Sequence, residues 1–182
     1  MTKRAIIAVD IQNDYFPGGK FPLDGIEKAA TNAARVLAAG RERGDLIVHV
    51  RHEFIDPAAP FFQPGSEGAE INSTAAPQGN ETVVTKNNVN AFKGTDLNQI
   101  LQDNGVDQVV IVGAMSHMCI DAATRAAADL GYATTVIHDA CATRDLEFQG
   151  TVVPAAQVHA AMMSGLAFGY ATVTDTGSFA AG

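Results

Sequence analysis

Val109 to Val112 are four consecutive β-branched residues, and this short run constrains the fold more than any other feature of the chain. Such a run leaves no polar face for solvent, so it reads as a strand buried on both sides, the situation of a parallel sheet covered by helices. Gly113 then permits a sharp turn. Behind it, Ser116 is placed to cap a helix that runs through DAATRAAADL to Leu130 and stops at Gly131. Cys119 falls in the first turn of that helix, where unpaired backbone N–H groups and the positive end of the helix dipole favour a thiolate. Taken alone, the stretch fits a small core cysteine better, because unpaired Cys is among the most buried residue types.

The rest of the chain repeats the strand-then-helix pattern. Residues 5–11, AIIAVDI, form an apolar run of strand length that ends on Asp10 and is followed by polar QND and the turn-rich PGG. A helix over 26–43 is expected, with Ile26, Ala29, Ala30, Ala33, Val36 and Leu37 on its apolar face and Gly44 as its stop. LIVHV, within 45–51, gives a second strand, and TVVT, 82–85, a third that ends beside Lys86. Between them, residues 53–79 are rich in Pro, Gly, Ser and Ala, and the length of this segment marks it as a lid or binding loop. Thr95 or Asp96 starts a helix over DLNQILQDNG. The fourth strand is 108–112, the fifth 133–140 and the sixth about 171–174. An amphipathic helix with Pro154 at its start and Val158, Ala161, Met162 and Leu166 on one face precedes the sixth strand. Strands alternating with helices imply an α/β fold: three layers, α/β/α, around a mostly parallel sheet.

At 182 residues the chain is long enough for one domain, 1–182, with a sizeable core of its own. Its net charge of −8, without a Lys/Arg cluster, opposes nucleic acid or an anionic membrane surface as partner. No apolar stretch approaches the roughly 20 residues of a membrane span. Only Cys119 and Cys141 carry thiols, so no disulfide framework is implied, and with no signal-like start the expected compartment is the cytoplasm.

In a sheet of this kind the ligand crevice lies at the carboxyl ends of the strands, near the point where strand order reverses. Asp10, Lys86 and Cys119 all fall at such ends. An acid, a cation and a thiol arriving together form a chemical set. The carboxylate can take the thiol proton as general base, and the ammonium steadies the anions that form. Dinucleotide binding is disfavoured, since DIQND stands where a glycine-rich phosphate turn belongs, and a Walker-type GK[ST] loop is absent. The histidines lack recognisable zinc-ligand spacing.

DIQNDYFPGGKFPL, VVTKNNVNAF and VIVGAMSHMCIDAATRAAADLGY resemble, in order, the three signature blocks of the isochorismatase-like cysteine hydrolases, the superfamily that contains nicotinamidases. PGSEGAEI, 64–71, and DACATRD, 139–145, extend the likeness through nearly the whole chain. The resemblance implies a six-stranded sheet of order 3-2-1-4-5-6 and a catalytic triad of Asp10, Lys86 and Cys119. It also implies a non-proline cis peptide between Ala114 and Met115, with the backbone N–H groups of Met115 and Cys119 as the oxyanion hole. Gln12, Tyr15 and Phe21 match positions near the substrate, and His117 lies close to the nucleophile in sequence. Homo-oligomers, dimer or tetramer, are common in the family, and Phe61 and Phe62 are candidates to pack across a subunit boundary.

The sequence departs from the relatives at one informative place. Nicotinamidases present an Asp-x-His and a further His to a divalent metal. Here His52 matches the first His, but Val50 stands where the Asp belongs, and 53–79 contains no histidine. The expectation is therefore no metal and no cofactor. Isochorismatases cleave a vinyl ether and lack the cysteine, whereas Cys119 is present. The sequence thus points to a hydrolase that cleaves a C–N bond of a small amide, ureido or related carbonyl compound through a thioester. A vinyl ether hydrolase using Asp10 as acid, and a catalytically silent oligomeric binding protein, remain the alternatives. One geometric problem accompanies the triad: strand three lies two strands from strand one, about 10 Å away, so Lys86 has to reach inward.

Overall fold

The computed structural model describes residues 3–181. Its centre is a sheet of six strands: β1 (Arg4–Val9), β2 (Leu46–His52), β3 (Thr82–Lys86), β4 (Gln108–Ala114), β5 (Ala133–Ala142) and, beyond a small hairpin, β8 (Thr172–Thr174). Their order is β3-β2-β1-β4-β5-β8, and every pairing is parallel. This is the expected order. The last strand is eighth in the chain because β6 (Leu146–Phe148) and β7 (Thr151–Val153) pair separately as an antiparallel ribbon.

The period-two alternation of strand side chains sorts the core into two layers. On one face, Ile6, Ala8, Val110 and Val112 meet Ala30, Ala33, Val36 and Leu37 of α1 (Ile26–Arg43), with Phe179 of α5 (Thr176–Ala181) at the edge. On the other, Ile7, Val9, Val109 and Ile111 meet Leu97 and Leu101 of α2 (Leu97–Asp103) and Ala123 and Ala127 of α3 (Asp121–Asp129). Met163 and Leu166 of α4 (Ala155–Gly169) complete that layer. Val109–Val112 are all buried, as a doubly covered strand requires.

The α1 helix has the expected limits, and Gly44 closes it in the left-handed conformation, its N–H bonded to the carbonyls of Arg41 and Gly40. Other expectations need correction. Residues 116–130 are not one α-helix. Ser116–Ile120 form a single π-helical turn, α3 begins only at Asp121, and Ser116 caps nothing. On α4, Met163 rather than Met162 enters the core, and Ala161 is exposed. Residues 53–79 are no open lid. They contain short 3₁₀ turns at Glu67–Ala69 and Ser73–Ala75, and they bury Phe61, Phe62, Ala69 and Ala75 within the same chain. Among the described residues, no helix is long and apolar enough to cross a membrane.

Gly113 fixes how closely β1 and β4 approach. It has φ +127°, and a Cβ built there would lie 1.9 Å from the carbonyl oxygen of Val9. Only glycine fits. The two strands part immediately beyond this contact, where sheet order reverses, and Asp10 and the Ser116–Ile120 turn emerge side by side.

Candidate active site

The three strand-end residues converge. Lys86 Nζ lies 2.9 Å from Asp10 Oδ2 and 3.3 Å from Cys119 Sγ, with Asp10 and Lys86 fully buried and Cys119 4% exposed. The reach anticipated for Lys86 is met by its side chain, which crosses the end of β2. On the way the ammonium contacts His52 Nδ1 at 2.7 Å and donates to the carbonyl of Asn88 at 3.1 Å. Asp10 itself sits in the left-handed region at φ +52°, held by its N–H to the carbonyl of Val50. A non-glycine residue in that conformation needs surroundings that fix it, and such residues cluster at functional sites.

Charge at the site follows from burial. Burial lowers the Lys86 pKa, but Asp10 and Cys119 more than offset this, and the net shift is upward, so the ammonium is retained. Burial, and then the Asp10 carboxylate, push the Cys119 thiol far above its ordinary value, and Lys86 only partly opposes them. Both effects favour the neutral thiol at Cys119. The expectation of a thiolate favoured by a helix end does not hold, because the π turn is deeply buried beside a carboxylate.

His52 has a fixed role. A lysine ammonium can only donate, so Nδ1 must accept and the ring proton sits on Nε2. Burial and Lys86 hold its pKa down to about 4, which keeps the ring neutral. The ligand atoms of Asp10, His52 and Cys119 lie within 4.8 Å of one another, a spacing that could suit a metal ion. The Lys86 ammonium, however, contacts all three residues itself. The place of a cation is taken by the chain's own, and the site does not fit a metal.

Gln12 was expected near the substrate, but its amide is committed to the backbone. Nε2 donates to the carbonyls of His52 and Ala69, and Oε1 accepts from the N–H of His52. It braces the strand ends. Tyr15 and Phe21 lie in an aromatic cluster with Phe54, Phe61 and Phe62, and Met115 packs into the same group. Phe21 stacks on Phe61 at 4.3 Å, and Tyr15 contacts Phe62 at 4.6 Å. Phe61 and Phe62 thus pack against aromatic residues of their own chain. Burial, then the nearby Asp10 carboxylate, raise the Tyr15 phenol well above its usual value.

His117, on the π turn, bonds Thr143 Oγ1 at 2.6 Å. Arg144, which the sequence did not single out, lies 4.3 Å over the ring of Phe21. The peptide between Ala114 and Met115 is cis. The carbonyl of Met115 is occupied by the N–H groups of Met118 and Ile120. Ser116 Oγ is bonded to His159 Nδ1 at 2.8 Å and to the carbonyl of Ala142.

Acid, ammonium and thiol thus meet at the strand ends of a parallel α/β sheet, at the switch point between β1 and β4. The isochorismatase domain model matches residues 4–176. The uncharacterized isochorismatase family protein YddQ of Bacillus subtilis is 47% identical over 175 residues, covering 96% of this chain and 97% of that one. A solved isochorismatase hydrolase structure from Oleispira antarctica superposes with a TM-score of 0.95 at 55% identity, over 100% of this chain and 97% of that one. Maleamate amidohydrolase of Pseudomonas putida is 31% identical over 156 residues, 78% of this chain and 73% of that one. The chain belongs to the isochorismatase family of hydrolases.

Proposed function

We propose that the protein is a cysteine hydrolase that cleaves the C–N bond of a small amide or ureido compound through a thioester, with no metal in the reaction. The observation that carries this reading is the bridging position of Lys86 Nζ, 2.9 Å from Asp10 Oδ2 and 3.3 Å from Cys119 Sγ. Similarity to maleamate amidohydrolase supports the C–N bond as the target.

In the proposed cycle, Asp10 takes the Cys119 proton as Sγ attacks the carbonyl carbon. The N–H groups of Met115 and Cys119 receive the oxyanion, where one donor is worth about 3 kcal/mol. The tetrahedral intermediate collapses as Asp10 returns the proton to the departing nitrogen, and the C–N bond breaks. Water then gives a proton to Asp10 and attacks the thioester. The C–S bond breaks, the acid leaves, and Asp10 returns the proton to Cys119. Lys86 keeps its charge throughout and stabilises whichever of its two partners is anionic. Gln12 acts as a brace for the strand ends. Tyr15 and Phe21 line the apolar wall, and His117 stands at its rim.

The protein is further proposed to work as a homo-oligomer, dimer or tetramer. Phe168 on α4 and Phe148 and Val152 on the hairpin are exposed large apolar residues that a second copy would cover.

The reading is tested by measuring ammonia or amine release over a panel of small amides and ureides, with and without a chelator. Release that persists with chelator and is lost in Cys119→Ala supports it. Turnover retained by Cys119→Ala, or abolished by the chelator, overturns it.

A further inference from the structure

The turn that carries Cys119 has little support of its own. Ser116–Ile120 make a single π-helical turn, closed by the N–H groups of Met118 and Ile120 on the carbonyl of Met115. An isolated turn of this kind fixes many torsions for few hydrogen bonds, so its shape has to be held from outside. Two of its side chains do so. His117 bonds Thr143 Oγ1 just beyond β5, and Ser116, fully buried, reaches the carbonyl of Ala142 at 3.3 Å and His159 Nδ1 at 2.8 Å.

His159 has no part in the proposed cycle, yet its place is well defined. It lies half-buried on α4, next to buried Val158, on the helix whose Met163 and Leu166 enter the core beside Cys119 and Ile120. The Ser116 hydroxyl has one proton, and the carbonyl of Ala142 can only accept, so the hydroxyl donates there. Its oxygen is then the acceptor for His159, whose ring carries a proton on Nδ1. Burial, then the ring of His138 on β5, 6.2 Å away between centroids, lower the His159 pKa and favour the neutral ring with Nε2 bare.

Ser116 directly follows Met115 and stands three positions before Cys119. A shift of Ser116 therefore moves both N–H groups to which the oxyanion is assigned. Such donors act only when they point at the place where the charge develops, and a displacement of about 1 Å can cost on the order of 100-fold in rate. The π turn packs against α4 as well as β5, and the bond from His159 to Ser116 is where a polar side chain of α4 grips it.

We propose that His159 is a positioning residue: by donating from Nδ1 to Ser116 Oγ it ties the cysteine turn to α4 and keeps the N–H groups of Met115 and Cys119 aimed at the developing oxyanion. It touches no reacting atom. The effect on rate rests on the cysteine-hydrolase reading, whereas the tie itself does not.

Nitrogen NMR of the histidine rings tests the tie without any substrate. The neutral His159 ring is expected as the Nδ1–H form in the wild type. The backbone N–H resonances of Met115 and Cys119 are expected to move in His159→Ala and to return in His159→Asn, whose side-chain N–H can stand where Nδ1–H does. If His159→Ala does not fold, His159→Gln, whose amide falls at the Nε2 position instead, takes its place. With an amide that the enzyme turns over, loss of the tie is expected to lower kcat about tenfold or more at little-changed KM. His159→Asn restores most of that rate, and Ser116→Ala adds nothing to the loss in the double variant. An Nε2–H ring at His159, Met115 and Cys119 resonances that stay in place without the tie, or losses that add in the double variant overturn the assignment. The expected NMR results in an enzyme that never acylates Cys119 would support the tie and reject the thioester chemistry.

Discussion

Lys86 Nζ lies 2.9 Å from Asp10 Oδ2 although their strands are not neighbours: β2 runs between β3 and β1. The pair is fully buried, and among the described residues the Asp10 carboxylate has no hydrogen-bond partner besides this ionic contact. Lys86→Met would leave an uncompensated carboxylate in the core, at a cost of about 3–5 kcal/mol. Urea denaturation of Lys86→Met is expected to show that loss, and the double variant Asp10→Asn, Lys86→Met to recover part of it. A single variant as stable as wild type would contradict the ion pair.

The His52 tautomer makes a separable prediction. Asn at this position can place an acceptor where Nδ1 meets Lys86 but supplies no N–H in place of Nε2, whereas Gln extends an amide toward the Nε2 position. His52→Asn is expected to keep most of the folding stability and His52→Phe to lose about 1–3 kcal/mol, because Phe removes a buried acceptor from a charged donor. Equal stability of the two variants in chemical denaturation would remove His52 from the Lys86 network.

Gly113→Ala places a methyl group 1.9 Å from the Val9 carbonyl oxygen at φ +127°. Strain and forced separation of β1 from β4 together are expected to cost about 3 kcal/mol or more. A melting temperature within a few degrees of wild type would show that the strands can part cheaply.

Stability should fall in acid through three groups. Burial lowers the His49 pKa, and burial with Lys86 brings His52 down to about 4, both from an ordinary 6.5. In each case the unfolded chain binds the proton more readily. Their stabilisation is therefore full above about pH 6.5 and is lost as pH falls toward the folded-state values. The hydrogen bonds from Arg41 lower Glu81 to about 2 from 4.5, so its contribution is complete above about pH 4.5 and declines below it. Denaturation midpoints at pH 7.5, 5.5, 4 and 3 are expected to decrease in that order, and Glu81→Gln to flatten the last step and, by removing the acid that raises the His49 pKa, to deepen the loss at higher pH. A midpoint that rises on acidification would reverse the assigned signs.

The strands of the sheet were legible because each is a run of apolar residues that solvent-facing segments cannot imitate, whereas their order was legible only through the family resemblance. The convergence of Asp10, Lys86 and Cys119 was legible because they interrupt those patterns at strand ends, within family-like blocks. What sequence did not disclose depends on contacts distant along the chain. The β6–β7 ribbon is built from three-residue strands too short for periodicity to register. The π turn at Ser116–Ile120 has the same side-chain pattern as a helix start. The 53–79 segment is loop-like in composition, yet Phe61 and Phe62 anchor it against Tyr15 and Phe21, partners about 40 residues away.

Everything proposed for the chemistry passes through one covalent bond to Cys119. The direct measurement is intact-protein mass after rapid acid quenching of enzyme mixed with a turned-over amide. The account predicts a transient mass increase equal to the acyl group, located on Cys119 and absent from Cys141. It further predicts that the adduct does not form in Asp10→Asn. Steady turnover with no adduct at any quench time, together with activity in Cys119→Ala, would contradict it.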